Sequence, residues 1–166
     1  MLSKHRSNEI IDAYVNLVNS HDRQTYHLTV TYQDRTCFER PRHDDREYSL
    51  STIFSVFYLT KLLPKIMNTT QFRRKNIRHL QPISYVFAER HKTRRTLHHH
   101  AVICAHQETV SRLDKLLERE LKHDFDNFRH IESVYLTKRD SSVIKYASQE
   151  FHKFHDDVLI FAQSHK

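Results

Sequence analysis

Not one of the 166 residues is glycine. Phosphate cradles of the P-loop and dinucleotide-binding kinds need glycine for their tight turns and close backbone approach, so both are excluded, and with them an ATPase motor within this chain. Cysteine is scarce as well. Cys37 and Cys104 form no disulfide framework and no Cys-x-x-Cys pair, which predicts a reducing, cytoplasmic compartment. Tryptophan is missing, proline occurs only three times, and no 18-residue apolar run exists, so neither a membrane-spanning helix nor a membrane partner is expected. The opening residues Met1-Leu2-Ser3-Lys4-His5-Arg6 lack the apolar stretch of a secretory signal.

Acid is the scarcer charge. Lys and Arg number 27 against 20 Asp and Glu, a formal net charge of +7. A surplus of this size favours a polyanionic partner, nucleic acid ahead of an anionic membrane. With 38% hydrophobic residues and no repeat, linker or low-complexity tract, the chain reads as a single domain over 1–166, its core at about 24–161.

What is abundant is histidine, 15 in all. Three stand together in Leu97-His98-His99-His100-Ala101-Val102-Ile103, a segment that otherwise reads as a buried strand. Alternate strand residues share a face, so His98 and His100 point the same way, about 7 Å apart. That spacing suits two ligands of one metal ion.

Patterning supplies the frame. Apolar residues at helical spacing predict a helix over 7–20 with Ser7 as its cap, a second from Thr52 to about Asn68 that Pro64 kinks or ends, and a third around Val110–Leu121. Period-two, β-rich segments predict strands at 26–32, 83–89, 96–105 and 131–138. Asp140 caps a final helix expected to run to about Phe161. The order is α, then β-α-β-β-α-β, then α. This is an α+β chain whose middle has the split βαβ, or ferredoxin-like, order: one antiparallel sheet with helices on one face, plus an N-terminal helix and a C-terminal helix that bears Tyr146.

The charged stretch Arg90–Arg95 then becomes a hairpin connection, which brings Glu89 opposite the imidazoles. Two His and one carboxylate with open positions are a catalytic set for Mg²⁺, Mn²⁺ or Zn²⁺. A metal beside nucleic acid usually serves phosphoryl transfer, and the final helix offers a nucleophile. Tyr146 lies at the edge of that helix's apolar stripe of Val143, Ala147, Phe151, Phe154 and Val158, with Lys145 before it and Gln149, Glu150 and Lys153 on its own stripe. A nearby lysine or metal helps a phenol ionise.

These pieces resemble the HUH endonucleases, in particular the rolling-circle replication initiators of plasmids and single-stranded DNA phages. Tyr26-His27-Leu28-Thr29-Val30-Thr31 is similar to their first motif, an apolar-Thr strand. His98 and His100 match their His-hydrophobic-His motif, with His99 in the place of the hydrophobic residue, and Glu89 matches the upstream acid. Their third motif, a tyrosine near a lysine on a helix, has two candidates here. Tyr135-Leu136-Thr137-Lys138 fits the Tyr-x-x-Lys string but falls on a predicted strand. Ser142-Val143-Ile144-Lys145-Tyr146 resembles the Tyr-x-x-Lys-Tyr form with serine for the first tyrosine. Single-tyrosine transposases place a metal-binding Gln after the tyrosine, which Gln149 resembles with a shift of one. Tyr146 is the preferred nucleophile.

The resemblance implies nicking and joining of single-stranded DNA through a 5′-phosphotyrosine, with Glu89, His98, His100 and Gln149 as metal ligands and Tyr146 and Lys145 as catalytic residues. Arg73, Arg74, Lys75, Arg78, Arg94 and Arg95 are expected to hold the DNA backbone. The implied substrate is single-stranded or hairpin origin DNA, and since the chain carries no helicase segment, a host helicase and polymerase are implied partners. A transposase or relaxase would use the same chemistry. A non-catalytic nucleic-acid-binding module of the same fold is the alternative from another class, and would stack bases on exposed strand aromatics. A structural metal site is disfavoured, since only three ligands are apparent where structural zinc takes four.

Overall fold

The computed structural model describes residues 3–32, 50–71, 74, 76–90, 97–117, 131–149 and 158–161. In chain order these form α1 (Lys4–Ser20), β1 (Gln24–Tyr32), α2 (Leu50–Phe57), a π-helical turn (Tyr58–Leu62), α3 (Leu63–Met67), a 3₁₀ turn (Arg78–Leu80), β2 (Ile83–Arg90), β3 (Leu97–Ala105), α4 (Gln107–Leu117), β4 (Ile131–Arg139), α5 (Val143–Ala147) and β5 (Leu159–Phe161). The strands make one sheet in the order β4-β1-β3-β2-β5, and every neighbouring pair is antiparallel. The first four strands have the spatial order of a ferredoxin-like sheet, as the sequence pattern predicts, and β5 extends it beyond β2.

Each face of the sheet carries its own core. Tyr26, Leu28 and Val30 of β1, Ala101 and Ile103 of β3 and Val134 and Leu136 of β4 face α2, α3 and α4, where Phe54, Phe57, Ile66 and Leu113 complete the larger cluster. On the opposite face Tyr85, Phe87, Val102 and Cys104 meet α1 and α5 through Val18, Val143, Ile144 and Ala147. The terminal helices thus cover the side that the two crossover helices leave open. The residues between those of the larger core, among them His27, Thr29, His98 and His100, belong to this second face by strand alternation.

A chain without glycine must find other residues for left-handed backbone. Among the described residues Asp22 (φ 46°) and Asn68 (φ 53°) take those positions, Asn68 as the C-cap of α3. Asn and Asp tolerate this region best after glycine because their short side chains bond locally.

Three expectations change. Ser3, not Ser7, caps α1, accepting from the Arg6 N–H at 3.3 Å, and Ser7 is buried in the first turn. Pro64 neither ends nor simply kinks its helix. The backbone passes through the π turn first, with the Leu63 N–H bonded five residues back to the Tyr58 carbonyl, and helix resumes with Pro64 in its first turn, where a missing N–H costs nothing. The final helix does not reach Phe161. Helix is observed over Val143–Ala147, whereas Leu159–Phe161 pairs with β2 in the register Ser84↔Phe161. The edge of β2 offers unpaired backbone groups, and Phe161 gains a stacked contact with Tyr58 at 4.5 Å between ring centres. Glu150, Phe151, Lys153 and Phe154 lie outside the described residues. No helix among the described residues is long and apolar enough to cross a membrane.

Candidate metal centre and adjoining cleft

β3 alternates along its length. His99, Ala101 and Ile103 turn to the larger core, while His98, His100, Val102 and Cys104 turn to the second face. The β2–β3 register sets Glu89 directly opposite His98 and Phe87 opposite His100. Glu89, His98 and His100 consequently converge, with one ligand-capable atom of each within 4.8 Å of the others. Glu89 Oε2 lies 2.9 Å from His100 Nε2 and 3.8 Å from His98 Nε2, and the two Nε2 atoms are 2.9 Å apart.

All three side chains are buried, and among the described residues Glu89 Oε2 has no hydrogen-bond partner despite its closeness to His100. A buried carboxylate oxygen without a partner is costly, and two imidazole nitrogens sharing one proton satisfy only part of the cluster. A cation bonded to the three atoms would satisfy all of them. The residues therefore fit a metal ion, and an N,N,O set leaves coordination positions open for a ligand.

Behind His100 stand two residues of β1. His27 Nε2 is 2.9 Å and Thr29 Oγ1 3.2 Å from His100 Nδ1. Both face the site because β1 is the other neighbour of β3, with Thr29 opposite His100 in register. Burial, with the neighbouring His100 and Arg139, pushes the His27 pKa down to about 4, so its ring is neutral near pH 7. Sequence reasoning did not single out His27 or Thr29. The alternation of Tyr26–Tyr32 combined with the strand order expected of a ferredoxin-like sheet would have placed them beside the His strand.

His99 faces away from the metal group. Its Nδ1 is 2.7 Å from the Tyr32 hydroxyl, its ring packs against Phe54 at 5.2 Å, and burial pushes its pKa down to about 3. A neutral imidazole here does the packing work of an apolar residue.

Tyr146 closes the site from α5. Its ring meets His100 at 5.4 Å and His27 at 5.6 Å between ring centres, edge to face, and it remains 54% exposed. Beside it opens a cleft of about 560 Å³ whose walls include Tyr146, His27, Thr29, Tyr135, Thr137 and Arg139. Ser142, one turn before Tyr146, lines the same cleft.

The other expected site residues fare differently. Lys145 is drawn to α1, its Nζ 3.0 Å from Asp12 Oδ1 at the surface. Gln149 is exposed just beyond α5. Arg74 and Arg78 sit before the start of β2, whereas Glu89 is near its end, six residue steps along the strand from Ile83, roughly 20 Å. The structure does not bring them to the metal group. Arg73, Lys75, Arg94 and Arg95 lie outside the described residues. Among the described residues the fold brings Arg139, which the sequence did not single out, to the cleft, next to Asp140.

Comparison with protein-family models, with curated proteins and with solved structures returns no match.

Proposed function

We propose that this protein is a metal-dependent endonuclease that nicks and rejoins single-stranded DNA through a covalent phosphotyrosine at Tyr146, and that it initiates rolling-circle replication. The observation that carries this reading is the contact of Tyr146 with His100: an exposed phenol packed against a ligand of a buried two-His, one-carboxylate group. A structural metal site has no need of an exposed tyrosine at its mouth.

Glu89, His98 and His100 would hold the divalent ion, Mg²⁺ or Mn²⁺ with Zn²⁺ as the alternative, and bound there it supplies positive charge to the non-bridging oxygens of a scissile phosphate. The Tyr146 oxygen attacks phosphorus. The P–O3′ bond breaks, the phenol proton ends on the departing 3′ oxygen, and the products are a 5′-phosphotyrosine and a free 3′-hydroxyl. The 3′-hydroxyl of a second strand reverses the step and rejoins DNA. Position and electrostatics supply the rate, since the nucleophile is held by its packing on His27 and His100. The cleft beside Tyr146 takes the flanking nucleotides, with Tyr135 exposed for base stacking and Arg139 for the backbone. The substrate is single-stranded or hairpin origin DNA, and strand separation and synthesis fall to a host helicase and polymerase.

The test uses end-labelled single-stranded oligonucleotides, including hairpins, with the protein and Mn²⁺, resolved on a denaturing gel. A covalent adduct that disappears in Tyr146→Phe and persists in Tyr135→Phe is expected. Loss only in Tyr135→Phe would move the nucleophile to β4. No adduct on any substrate would overturn the nuclease reading in favour of a non-catalytic binding module.

A further inference from the structure

The metal group uses two of the histidines on its face and leaves a third, His27, in contact with both a ligand and the tyrosine. We propose that His27 is a positioning residue: its Nε2 accepts the Nδ1–H of His100 and so fixes the tautomer in which His100 presents a bare Nε2 to the metal. This rests on the metal reading of Glu89, His98 and His100, and not on the DNA chemistry.

A neutral imidazole carries one N–H and one lone pair. His100 Nε2 is the atom that lies among the other ligand atoms, 2.9 Å from both Glu89 Oε2 and His98 Nε2. To bind a cation that nitrogen must present its lone pair, so the ring proton must sit on Nδ1. Nδ1 is buried inside the sheet face, and a proton placed there needs an acceptor. Among the described residues His27 Nε2 is the nearer of two candidates, at 2.9 Å against 3.2 Å for Thr29 Oγ1. The two ring planes lie within 23° of each other, which lets the lone pair of one nitrogen lie along the N–H of the other. Thr29 can both donate and accept, and so does not by itself select a tautomer.

His27 is not a fourth ligand. Its contact is with the rear nitrogen of His100, and among the described residues the group of converging donors contains only Glu89, His98 and His100. Its ring also meets Tyr146 edge-on at 5.6 Å, so the same side chain that orients the ligand borders the proposed nucleophile. Outer partners of ligating histidines typically change metal affinity 10- to 100-fold when removed.

Two substitutions separate the hydrogen bond from the packing. His27→Phe keeps a ring against His100 and Tyr146 but has no acceptor, whereas His27→Gln keeps an acceptor without the ring. Calorimetric titration of the full chain with Mn²⁺ should show affinity falling about 10- to 100-fold in His27→Phe and only a few-fold in His27→Gln. Equal affinity of parent and His27→Phe overturns the proposal, as does a loss in His27→Gln matching that in His27→Phe. A second measurement needs no variant. Long-range ¹H–¹⁵N spectra of the Zn²⁺-loaded parent should show His100 protonated at Nδ1 and His27 bare at Nε2, and a proton on His27 Nε2 overturns it. A parent that binds neither ion would instead overturn the metal reading beneath it. Adduct formation lost while Mn²⁺ affinity and tautomers stand as described would leave this proposal intact and count against the nuclease reading alone.

Discussion

Tyr135 and Lys138 point to opposite faces of β4. Tyr135 lines the cleft beside Tyr146, while Lys138 reaches Asp114 on α4 at 3.6 Å and lies 5.9 Å over the ring of Tyr26, on the side of the larger core. The Tyr-x-x-Lys string that looks so apt in sequence is therefore split by the sheet, because residues three apart on a strand cannot share a face. Tyr135 is also two strands removed from His100, across Thr29, roughly 10 Å. Both facts favour Tyr146 as nucleophile and leave Tyr135 a different task.

In the proposed reading that task is base stacking. Tyr135 is 64% exposed on the cleft wall, and a base stacked on an aromatic ring contributes about 1–3 kcal/mol to single-strand binding. Tyr135→Ala should weaken equilibrium binding of a single-stranded oligonucleotide between about fivefold and 100-fold, and Tyr135→Phe should leave it nearly unchanged. Fluorescence anisotropy without metal isolates this binding from the covalent step. Unchanged binding in Tyr135→Ala would remove the cleft from the substrate path.

Glu89 makes an unusual demand on the metal-free fold. Its buried Oε2 has no hydrogen-bond partner among the described residues, so in the absence of an ion the carboxylate is a cost to folding. Glu89→Gln keeps the shape and removes the charge. The substitution should leave the melting temperature in EDTA equal or higher while lowering Mn²⁺ affinity at least tenfold. The parent should gain melting temperature with added Mn²⁺, and the variant should not. Thermal melts with and without the ion test both halves, and a variant that melts much lower in EDTA would mean that Glu89 is structural.

His98, His99 and His100 differ by parity, and substitutions should report it. His99→Leu keeps an apolar contact with Phe54 but removes the bond between His99 Nδ1 and the Tyr32 hydroxyl, a loss of about 1 kcal/mol. Its Mn²⁺ affinity should stay within about twofold of the parent. His98→Leu should abolish binding. Tyr32→Phe breaks the same bond from its other side, so the double variant should be less destabilised than the sum of the singles. Urea denaturation gives these stabilities, and strict additivity would deny the Tyr32–His99 bond.

Much of this arrangement was legible in the sequence. Period-two runs identified the first four strands, and the short charged connection implied the hairpin that sets Glu89 against His98. Two steps in the chain were not legible from local pattern. His27 and Thr29 join the site only through the pairing of β1 with β3, some 70 residues away in sequence, as their contacts with His100 attest. Leu159–Phe161 is too short to announce a strand, and its pairing depends on the free edge of β2, a property of the finished sheet. The charge of Arg74 and Arg78 was plain, but where a cation sits relative to the site depends on which end of a strand it precedes.

The second core also sets an alkaline limit on stability. Burial raises the Cys104 thiol to about 12 from an ordinary value of 9.0, and burial raises the Tyr85 hydroxyl to about 12 from 10.0. Both groups are neutral when folded and ionise more readily once unfolded. A pKa raised on folding contributes stability in full below the unfolded value, and this contribution is lost as pH climbs toward the folded one. Stability should therefore decline between about pH 9 and pH 12. Cys104→Ala removes one of the two groups and should flatten the early part of that decline, at the cost of a small cavity beside Val102 that lowers stability at every pH. Urea unfolding at several pH values measures the slope, and an unchanged slope in Cys104→Ala would show that the thiol is not the group responsible. Consistent with a buried neutral thiol, a Cys37→Ser chain should react with a thiol reagent only as fast as it unfolds, and faster in denaturant.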